Sequence, residues 1–253
     1  MINIKSKNEL MLMREAGKIV GEALKIAEEN IFPGITTNEL DRIVEEYIIK
    51  KGASASFRGQ KGFKGAIDFP ACCCISVNNE IIHGIPGNRV IKDGDLVSID
   101  VGALYKGFHG DAARTFLVKG ASMEAEELAR VTRESFFVGV EKAVPGNRVS
   151  DISIAIEEYV LAHGYSLVKE FTGHGVGAKL HEEPEIPNYW TGRKGPRLSE
   201  GMTLAIEPMV NEGTEDIYLL DNNWTVVTAD GKLSAHYENT VAVTENGPEI
   251  LTL

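Results

Sequence analysis

Residue types that bind metal ions occur twice along this chain, in the same order. Each set holds a histidine beside a glycine, a carboxylate that ends an apolar run, and a carboxylate two residues after a histidine. The first set comprises His83-Gly84, Ile99-Asp100 and His109-Gly110-Asp111, and the second comprises His174-Gly175, Ile206-Glu207 and His236-Tyr237-Glu238. Two adjacent divalent cations require about this number of carboxylates and imidazoles. Four buried carboxylates without cations would repel one another, so the pattern predicts a dinuclear metal site.

Other chemical motifs in the chain are weaker. The segment His181–Glu185 is similar to a zinc motif with two histidines, but its fifth residue is Glu185, and Pro184 would break the required helix. The glycines around His174 resemble a dinucleotide-binding loop, but the flanking segments do not read as a strand and then a long helix. A calcium site is disfavoured because calcium prefers oxygen ligands to histidine. The transition-metal site therefore stays the favoured interpretation.

Amphipathic helices also recur, at an offset of 112 residues (145 − 33). The segments that begin at Pro33-Gly34 and Pro145-Gly146 each lead into a Glu-Glu-Tyr sequence and end near a glycine. Apolar residues in both follow i, i+3, i+4, i+7 spacing, which predicts helices with one buried face. We interpret the repeat as two halves of about 110 to 130 residues around a shared site. The alternative is coincidence between two amphipathic helices, and the ordered polar motifs disfavour it.

The elements that must position these residues can be predicted in outline. Helices are expected over 8–30, 37–51, 122–143 and 149–163, the first with a capping box at Ser6–Glu9. Strands are expected over 72–78, 95–103, 106–118, 167–170, 202–209, 224–228 and 238–244, after a Gly-rich loop from Gly59 to Gly65. Helices followed by strands, twice, predict an α+β fold with helices covering antiparallel sheet. We expect one catalytic domain over residues 1–253, with halves of about 1–120 and 121–253.

Composition and charge limit the classes of partner. Hydrophobic residues make up 43% of the chain and charged residues 25%, as in ordinary globular proteins. The net charge of −11 argues against nucleic acid as the main partner, because phosphate binding needs a basic surface. No apolar run approaches the ~20 residues of a membrane span, and residues 1–18 show no signal-peptide core. We therefore expect neither DNA nor a membrane as a partner.

The three cysteines, Cys72, Cys73 and Cys74, are contiguous. Neighbouring residues of a strand point to opposite faces, so no ordinary disulfide framework fits them. A thiolate metal cluster is disfavoured because metal-binding cysteines usually have spacers. These features predict a reducing, cytoplasmic location.

Several motifs together resemble type I methionine aminopeptidase. They are Cys74–Glu80 with His83–Pro86, Ser98–Gly102, Gly173–Gly177, Ala205–Met209 and Tyr237–Thr240. The resemblance covers essentially the full length. It implies the pita-bread fold, with a pseudo-twofold internal repeat, and removal of the initiator methionine from nascent proteins and peptides, with small second residues preferred.

The resemblance also implies roles for individual residues. Two divalent cations are expected on Asp100, Asp111, His174, Glu207 and Glu238. Asp111 and Glu238 would bridge both cations, Asp100 would serve one, and His174 with Glu207 the other. Glu207 would also act as general base. His83 and His181 would contact the substrate and the transition state.

The methionine pocket departs from the family pattern at its mouth. Phe69, Cys74 and Trp224 fall at positions that line this pocket in the family. The loop from Gly59 to Phe69 is longer than usual, and Leu180 stands where bacterial relatives often carry an aromatic residue. We therefore expect a reshaped pocket mouth.

The alternatives are other proteins of the same fold. One is an Xaa-Pro-directed peptidase, and another is a binding module without catalysis, although such modules typically lose metal ligands. The ligand types admit Co, Mn, Fe(II) or Zn. For partners we expect the N-terminal methionine of nascent polypeptides, with transient proximity to the ribosome and a monomeric protein.

Overall fold

The computed structural model describes residues 1–62 and 67–253. Within these ranges the helices are α1 (Lys7–Asn30), α2 (Thr37–Lys50), α3 (Met123–Val140) and α4 (Val149–Ala162). The strands before α3 are β1 (Ser54–Ala55), β2 (Cys73–Val77), β3 (Glu80–Ile82), β4 (Leu96–Tyr105) and β5 (Phe108–Leu117). Those after α4 are β6 (Ser166–Leu167), β7 (Gly173–Gly175), β8 (Glu182–Ile186), β9 (Thr203–Ile206), β10 (Met209–Asn211), β11 (Ile217–Leu219), β12 (Val226–Thr228), β13 (Ser234–His236), β14 (Asn239–Thr244) and β15 (Gly247–Ile250). The predicted loop from Gly59 to Gly65 lies partly outside the described residues.

The helices begin at capping residues. The Ser6 hydroxyl accepts a hydrogen bond from the Glu9 backbone N–H, and the Glu9 carboxylate accepts one from the Ser6 N–H. Thr36 and Glu39 form the same reciprocal pair ahead of α2. Each pair satisfies two backbone donors that a helix otherwise leaves free. The predicted capping box at Ser6–Glu9 is confirmed.

The second helices of the two pairs have the same length, and each pair contains an equivalent tyrosine–glutamate contact. α2 and α4 contain 14 residues each and begin 112 residues apart (149 − 37). In the first pair the Tyr47 hydroxyl donates to Glu22, and in the second the Tyr159 hydroxyl donates to Glu134, at the same offset. The repeat therefore extends from sequence spacing to side-chain contacts. The division into halves near residue 120 stays a prediction.

Two antiparallel sheets carry Asp100, Asp111 and His174, and Glu207 and Glu238 adjoin strands of the second sheet. In the first, β4 pairs with β1, β2 and β5. In the second, the strands run in the order β15-β14-β9-β7-β8. Two three-stranded sheets, β13-β10-β6 and β11-β12-β3, complete the fold.

Each helix pair covers one of these sheets. Val20 of α1, Leu40 of α2 and Ile99 of β4 belong to one buried cluster. Phe136 of α3 and Leu204 of β9 belong to another. Burial of apolar side chains at about 25 cal/mol per Å² stabilises both layers. The α+β arrangement of helices on antiparallel sheet is confirmed, and β5 of the first sheet packs beside β14 of the second.

Several predicted strand boundaries were wrong. The strand predicted over 202–209 is two strands, β9 and β10, because Pro208 lacks the N–H that a continuous ladder needs. The strand predicted over 167–170 shrinks to β6, Ser166–Leu167. Seven strands were not predicted, namely β1, β3, β7, β8, β11, β13 and β15. Most contain two to four residues, too few for a readable alternation.

Two further observations concern membrane-spanning helices and the three cysteines. Within the described ranges, no helix is both long enough and apolar enough to cross a bilayer. Cys72, Cys73 and Cys74 are all buried and free of disulfides. Burial raises the pKa of the Cys72 thiol, and of its neighbours Cys73 and Cys74, far from neutrality. Such thiols are poor nucleophiles and poor metal ligands.

Candidate metal centre

The first two carboxylates lie on the hairpin formed by β4 and β5. Asp111 is opposite Gly102, and Asp100 is two residues from Gly102 on the same strand, so the carboxylates are diagonal neighbours on one face. Thr240 fixes Asp111 from the other sheet, because its hydroxyl donates to the Asp111 carbonyl and accepts from the Asp111 N–H. The first half of the chain thus presents two acids toward the second half.

Glu207 and Glu238 lie where two strands pass together from one sheet to the next. Glu207-Pro208 separates β9 from β10, and Tyr237-Glu238 separates β13 from β14. Because β9 pairs with β14 and β10 with β13, the two breaks adjoin each other. The Glu238 N–H donates to the Ala113 carbonyl at 3.0 Å, and the Ala113 N–H donates back at 3.3 Å. These bonds hold the acids of both halves together.

His174 lies on β7 beside Ala205 of β9 and faces the carboxylates. Its Nδ1 is 2.8 Å from the Gly175 carbonyl, which can only accept, so Nδ1 carries the proton. The unprotonated Nε2 is 3.8 Å from Asp111 Oδ2 and 3.5 Å from Glu207 Oε1. One donor atom each of Asp111, His174 and Glu238 lies within 4.8 Å of the others. This spacing suits ligands around a shared cation.

Burial and mutual repulsion both disfavour the charged forms of the four carboxylates. Burial raises the pKa of Asp100 to about 8 and raises the pKa of Asp111, Glu207 and Glu238 well above their ordinary values. After burial, the next cause for Asp111, Glu207 and Glu238 is repulsion from neighbouring acids. Oδ1 of Asp100 and Oδ1 of Asp111 have no hydrogen-bond partner within residues 1–62 and 67–253. Unpartnered buried oxygens and mutual repulsion are both relieved by divalent cations, so the donor set fits a metal centre.

The histidines around the acids are held neutral. Burial, and then the nearby His181, lowers the pKa of His174 to about 3 and that of His83 to about 4. Burial also lowers the pKa of His181. Neutral imidazoles can bind a cation or donate a hydrogen bond without adding charge.

All ten predicted site residues line one cavity of about 370 Å³. They are Phe69, Cys74, His83, Asp100, Asp111, His174, His181, Glu207, Trp224 and Glu238. One end of the cavity is acidic, and the other is walled by a buried apolar cluster of Phe57, Phe69, Ala71, Cys74, Leu180 and Trp224. Leu180, expected at the mouth, is thus part of the apolar wall. The roles assigned to these residues stay predictions.

Aromatic contacts orient the walls of the cavity. The Trp224 ring meets Phe69 edge-on at 5.1 Å between ring centroids and His83 at 6.0 Å. The indole N–H of Trp224 donates to the Ile67 carbonyl at 2.9 Å, which joins Ile67 to the pocket wall. The rings of His174 and His181 lie 4.4 Å apart. The apolar wall and the acidic end are therefore connected through the histidines.

Some neighbours of the site were not predicted. Arg114 is largely buried and donates to the Glu238 carbonyl and to Asn239 Oδ1, each at 2.6 Å. Asn188 donates to the Glu207 carbonyl at 3.0 Å. Gln60, Lys61 and Phe171 also line the cavity. Arg114 and Asn188 lie far along the chain from the groups that they contact, so no local sequence pattern indicates them.

Comparisons with known proteins agree with this geometry. The model of metallopeptidase family M24 matches residues 11–245. The methionine aminopeptidase of Clostridium perfringens is 60% identical over 253 residues, covering 100% of this chain and 99% of the relative. Methionine aminopeptidase 1 of Bacillus subtilis is 52% identical, with 100% and 99% coverage.

Solved structures of a methionine aminopeptidase and a prolidase share the fold of this chain. The crystal structure of methionine aminopeptidase from Thermotoga maritima has a TM-score of 0.95 and 43% identity, and covers 100% of this chain and 99% of its own. Prolidase from Pyrococcus furiosus has a TM-score of 0.78 and 27% identity, and this chain covers 65% of it. The predicted pita-bread fold and the resemblance to type I methionine aminopeptidase are confirmed, and the chain belongs to metallopeptidase family M24.

Proposed function

We propose that the protein is a metal-dependent methionine aminopeptidase, which hydrolyses the first peptide bond of a chain that begins with methionine. The observation that carries this proposal is the single cavity in which an acidic, metal-binding end adjoins an apolar pocket. Full-length relatives at 60% and 52% identity that are named methionine aminopeptidase support it. The prediction of an aminopeptidase is thereby confirmed.

Five residues would hold the cations, namely Asp100, Asp111, His174, Glu207 and Glu238. We propose two divalent cations, of Co, Mn, Fe(II) or Zn, because four acids and one imidazole supply enough donors for two. Asp111 and Glu238 would bridge, Asp100 would serve one cation, and His174 with Glu207 the other. When bound, such cations lower the pKa of water and polarise a carbonyl oxygen.

The acidic end would also receive the free α-amine of the substrate. The Glu207 carboxylate lines this end of the cavity and would take a proton from the attacking water and pass it to the leaving amine. The neutral His83 and His181 can donate hydrogen bonds to the carbonyl oxygen as charge develops on it. Donors of this kind contribute about 2.7–4 kcal/mol in comparable sites.

The apolar end would bind the methionine side chain. This end is lined by side chains with little access to water. The exposed fraction is 2% for Phe69, 5% for Cys74 and 8% for Trp224. A thioether makes favourable contacts with aromatic rings at about 5 Å. A branched or charged first residue would lose these contacts and be cleaved more slowly.

The other readings of the fold are disfavoured. The chain is similar over its whole length to methionine aminopeptidases, whereas it covers only 65% of the prolidase. All five predicted ligands are present and face one another, which a catalytically silent module would not require.

We also propose that the enzyme acts as a monomer on nascent polypeptides in the cytoplasm, transiently near the ribosome. The three free buried cysteines support a reducing compartment. Light scattering after size exclusion tests the oligomeric state.

A peptide assay tests the function. Metal-stripped protein is incubated with Met-Ala-Ser and Ala-Pro-Ser peptides, with and without Mn(II) or Co(II), and the products are weighed by mass spectrometry. We expect loss of methionine alone, only with metal. Glu207→Gln should lower kcat at least about 100-fold, whereas the exposed Glu215→Gln should not. Cleavage of Ala-Pro-Ser only, or full activity of Glu207→Gln, would overturn the proposal.

A further inference from the structure

His236 is a buried histidine at the metal centre to which the mechanism above gives no role. It ends β13 and is 2% exposed. Its backbone is anchored on both sides by Thr115, whose hydroxyl accepts from the His236 N–H at 2.9 Å and donates to the His236 carbonyl at 2.8 Å. The position of the ring is therefore set by the strand.

The ring nitrogen Nε2 of His236 is unpartnered but close to Glu207. It has no hydrogen-bond partner in the described part of the chain, and it lies 3.8 Å from Glu207 Oε2. The other carboxylate oxygen, Oε1, is 3.5 Å from His174 Nε2. Glu207 thus lies between two imidazoles, one facing each oxygen. A hydrogen bond needs about 2.7–3.2 Å, so a side-chain shift of roughly 1 Å closes the contact.

The matching histidine of the first half has different neighbours. His109 also precedes a site acid by two residues, but its Nδ1 lies 2.8 Å from the Ser56 hydroxyl. His109 is thus already paired, whereas His236 has a free nitrogen aimed at a carboxylate. A buried polar atom without a partner is costly, which favours the approach of His236 to Glu207.

We propose that His236 is a positioning residue for Glu207. Its Nε2–H donates to Glu207 Oε2 and turns Oε1 toward the cation that His174 serves. This inference rests on the proposed metal centre. The competing role is a second imidazole ligand, and the count of coordinated imidazoles below distinguishes the two roles.

Two substitutions of His236 distinguish a hydrogen-bond donor from a metal ligand. His236→Gln keeps an amide N–H near the position of Nε2, whereas His236→Leu fills a similar volume without a donor. Co(II) affinity is measured by titration calorimetry at one pH on the full-length, metal-stripped protein. We expect His236→Leu to bind Co(II) about 10- to 100-fold more weakly, the usual effect of losing a partner of a metal ligand. His236→Gln should stay within about threefold of the unsubstituted protein, because the donor is retained.

A spectroscopic measurement counts the ligands. In the Co(II)-loaded protein, each coordinated imidazole gives one exchangeable, paramagnetically shifted N–H resonance in the proton spectrum. We expect the same number of such resonances in the unsubstituted protein, His236→Gln and His236→Leu. Loss of a resonance in both variants would show that His236 is a ligand and would overturn the positioning role.

Controls keep the result interpretable. The remote His163→Leu should leave Co(II) affinity unchanged, and circular dichroism must show that each metal-free variant is folded. If His236→Leu does not fold, His236→Met provides the apolar variant. Unchanged affinity in the folded apolar variant overturns the inference. Failure of the unsubstituted protein to bind Co(II) would instead overturn the proposed metal centre on which the inference rests.

Discussion

Replacing Asp100 with Asn should stabilise the metal-free protein, although it would remove one of the proposed metal ligands. Burial raises the pKa of Asp100 from 3.8 to about 8. The folded protein therefore keeps a proton on this carboxyl over a pH range in which the unfolded chain loses it. The contribution of Asp100 to stability is full below pH 3.8 and is lost progressively as the pH rises to about 8. Asn cannot ionise, so the variant escapes this loss.

The size of the stability difference follows from the pKa shift of Asp100. One pKa unit corresponds to about 1.4 kcal/mol. At pH 7, about three units above the ordinary value, keeping Asp100 protonated in the folded state costs the metal-free protein about 4 kcal/mol of unfolding free energy. At pH 4 the cost is close to zero. The difference in stability between Asp100→Asn and the unsubstituted protein should thus grow from near zero at pH 4 to about 4 kcal/mol at pH 7.

Urea unfolding of both metal-stripped proteins from pH 4 to pH 8 measures this difference. Asp230→Asn is the matched control. Backbone N–H groups of Thr214 and Lys232 lower the pKa of Asp230, so that substitution should destabilise the protein above pH 4. Saturating Mn(II) should reverse the order for Asp100, because the unsubstituted site binds the cation more tightly. A stability difference that stays flat with pH, or a metal-free Asp100→Asn that is less stable at pH 7, would refute the reasoning.

Three further predictions concern residues in and around the site. Trp224→Phe removes the indole donor to the Ile67 carbonyl, and we expect KM for Met-Ala-Ser to rise about 2- to 12-fold with kcat nearly unchanged; an unchanged KM would contradict this role. Arg114→Met removes the donors to the Glu238 carbonyl and Asn239 Oδ1, and urea unfolding should show a loss of about 2–4 kcal/mol; a loss under 1 kcal/mol would count against it. Gly175→Ala places a Cβ 2.2 Å from the Glu183 carbonyl oxygen and should lower Tm, whereas Gly87→Ala meets nothing within 4 Å and should not. Equal Tm values for the two alanine variants would contradict the packing argument.

The helices could be predicted because their signals are local. Ser6 and Thr36 each precede a glutamate by three residues, and both pairs form the predicted or analogous capping box. The apolar spacing of α2 and α4 gave their existence, length and equivalence before any contact was known. These signals need only the neighbouring residues of one segment.

The short strands could not be predicted, because their partners define them. β8 reads Glu182–Ile186, and its proline and three glutamates argue against a strand. In the structure Pro184 and Ile186 point inward, and Glu183 and Glu185 point outward. Buried and exposed side chains alternate as in a strand, but the residue types do not show this alternation. Only pairing with β7 makes the segment a strand.

The site, like the short strands, could be predicted only in part, because it also depends on contacts between distant segments. The order of the motifs predicted which acids meet, because each acid sits at a comparable point of a repeat. His109 and His236 have the same spacing to a site acid, yet one is paired with Ser56 and the other faces Glu207 with a free nitrogen. The difference arises from β1, which brings Ser56 beside β5 in the first half, and from the break at Glu207-Pro208 in the second. Sequence spacing therefore places a histidine near a metal centre, but only the packing of distant segments decides whether its nitrogen is available to act there.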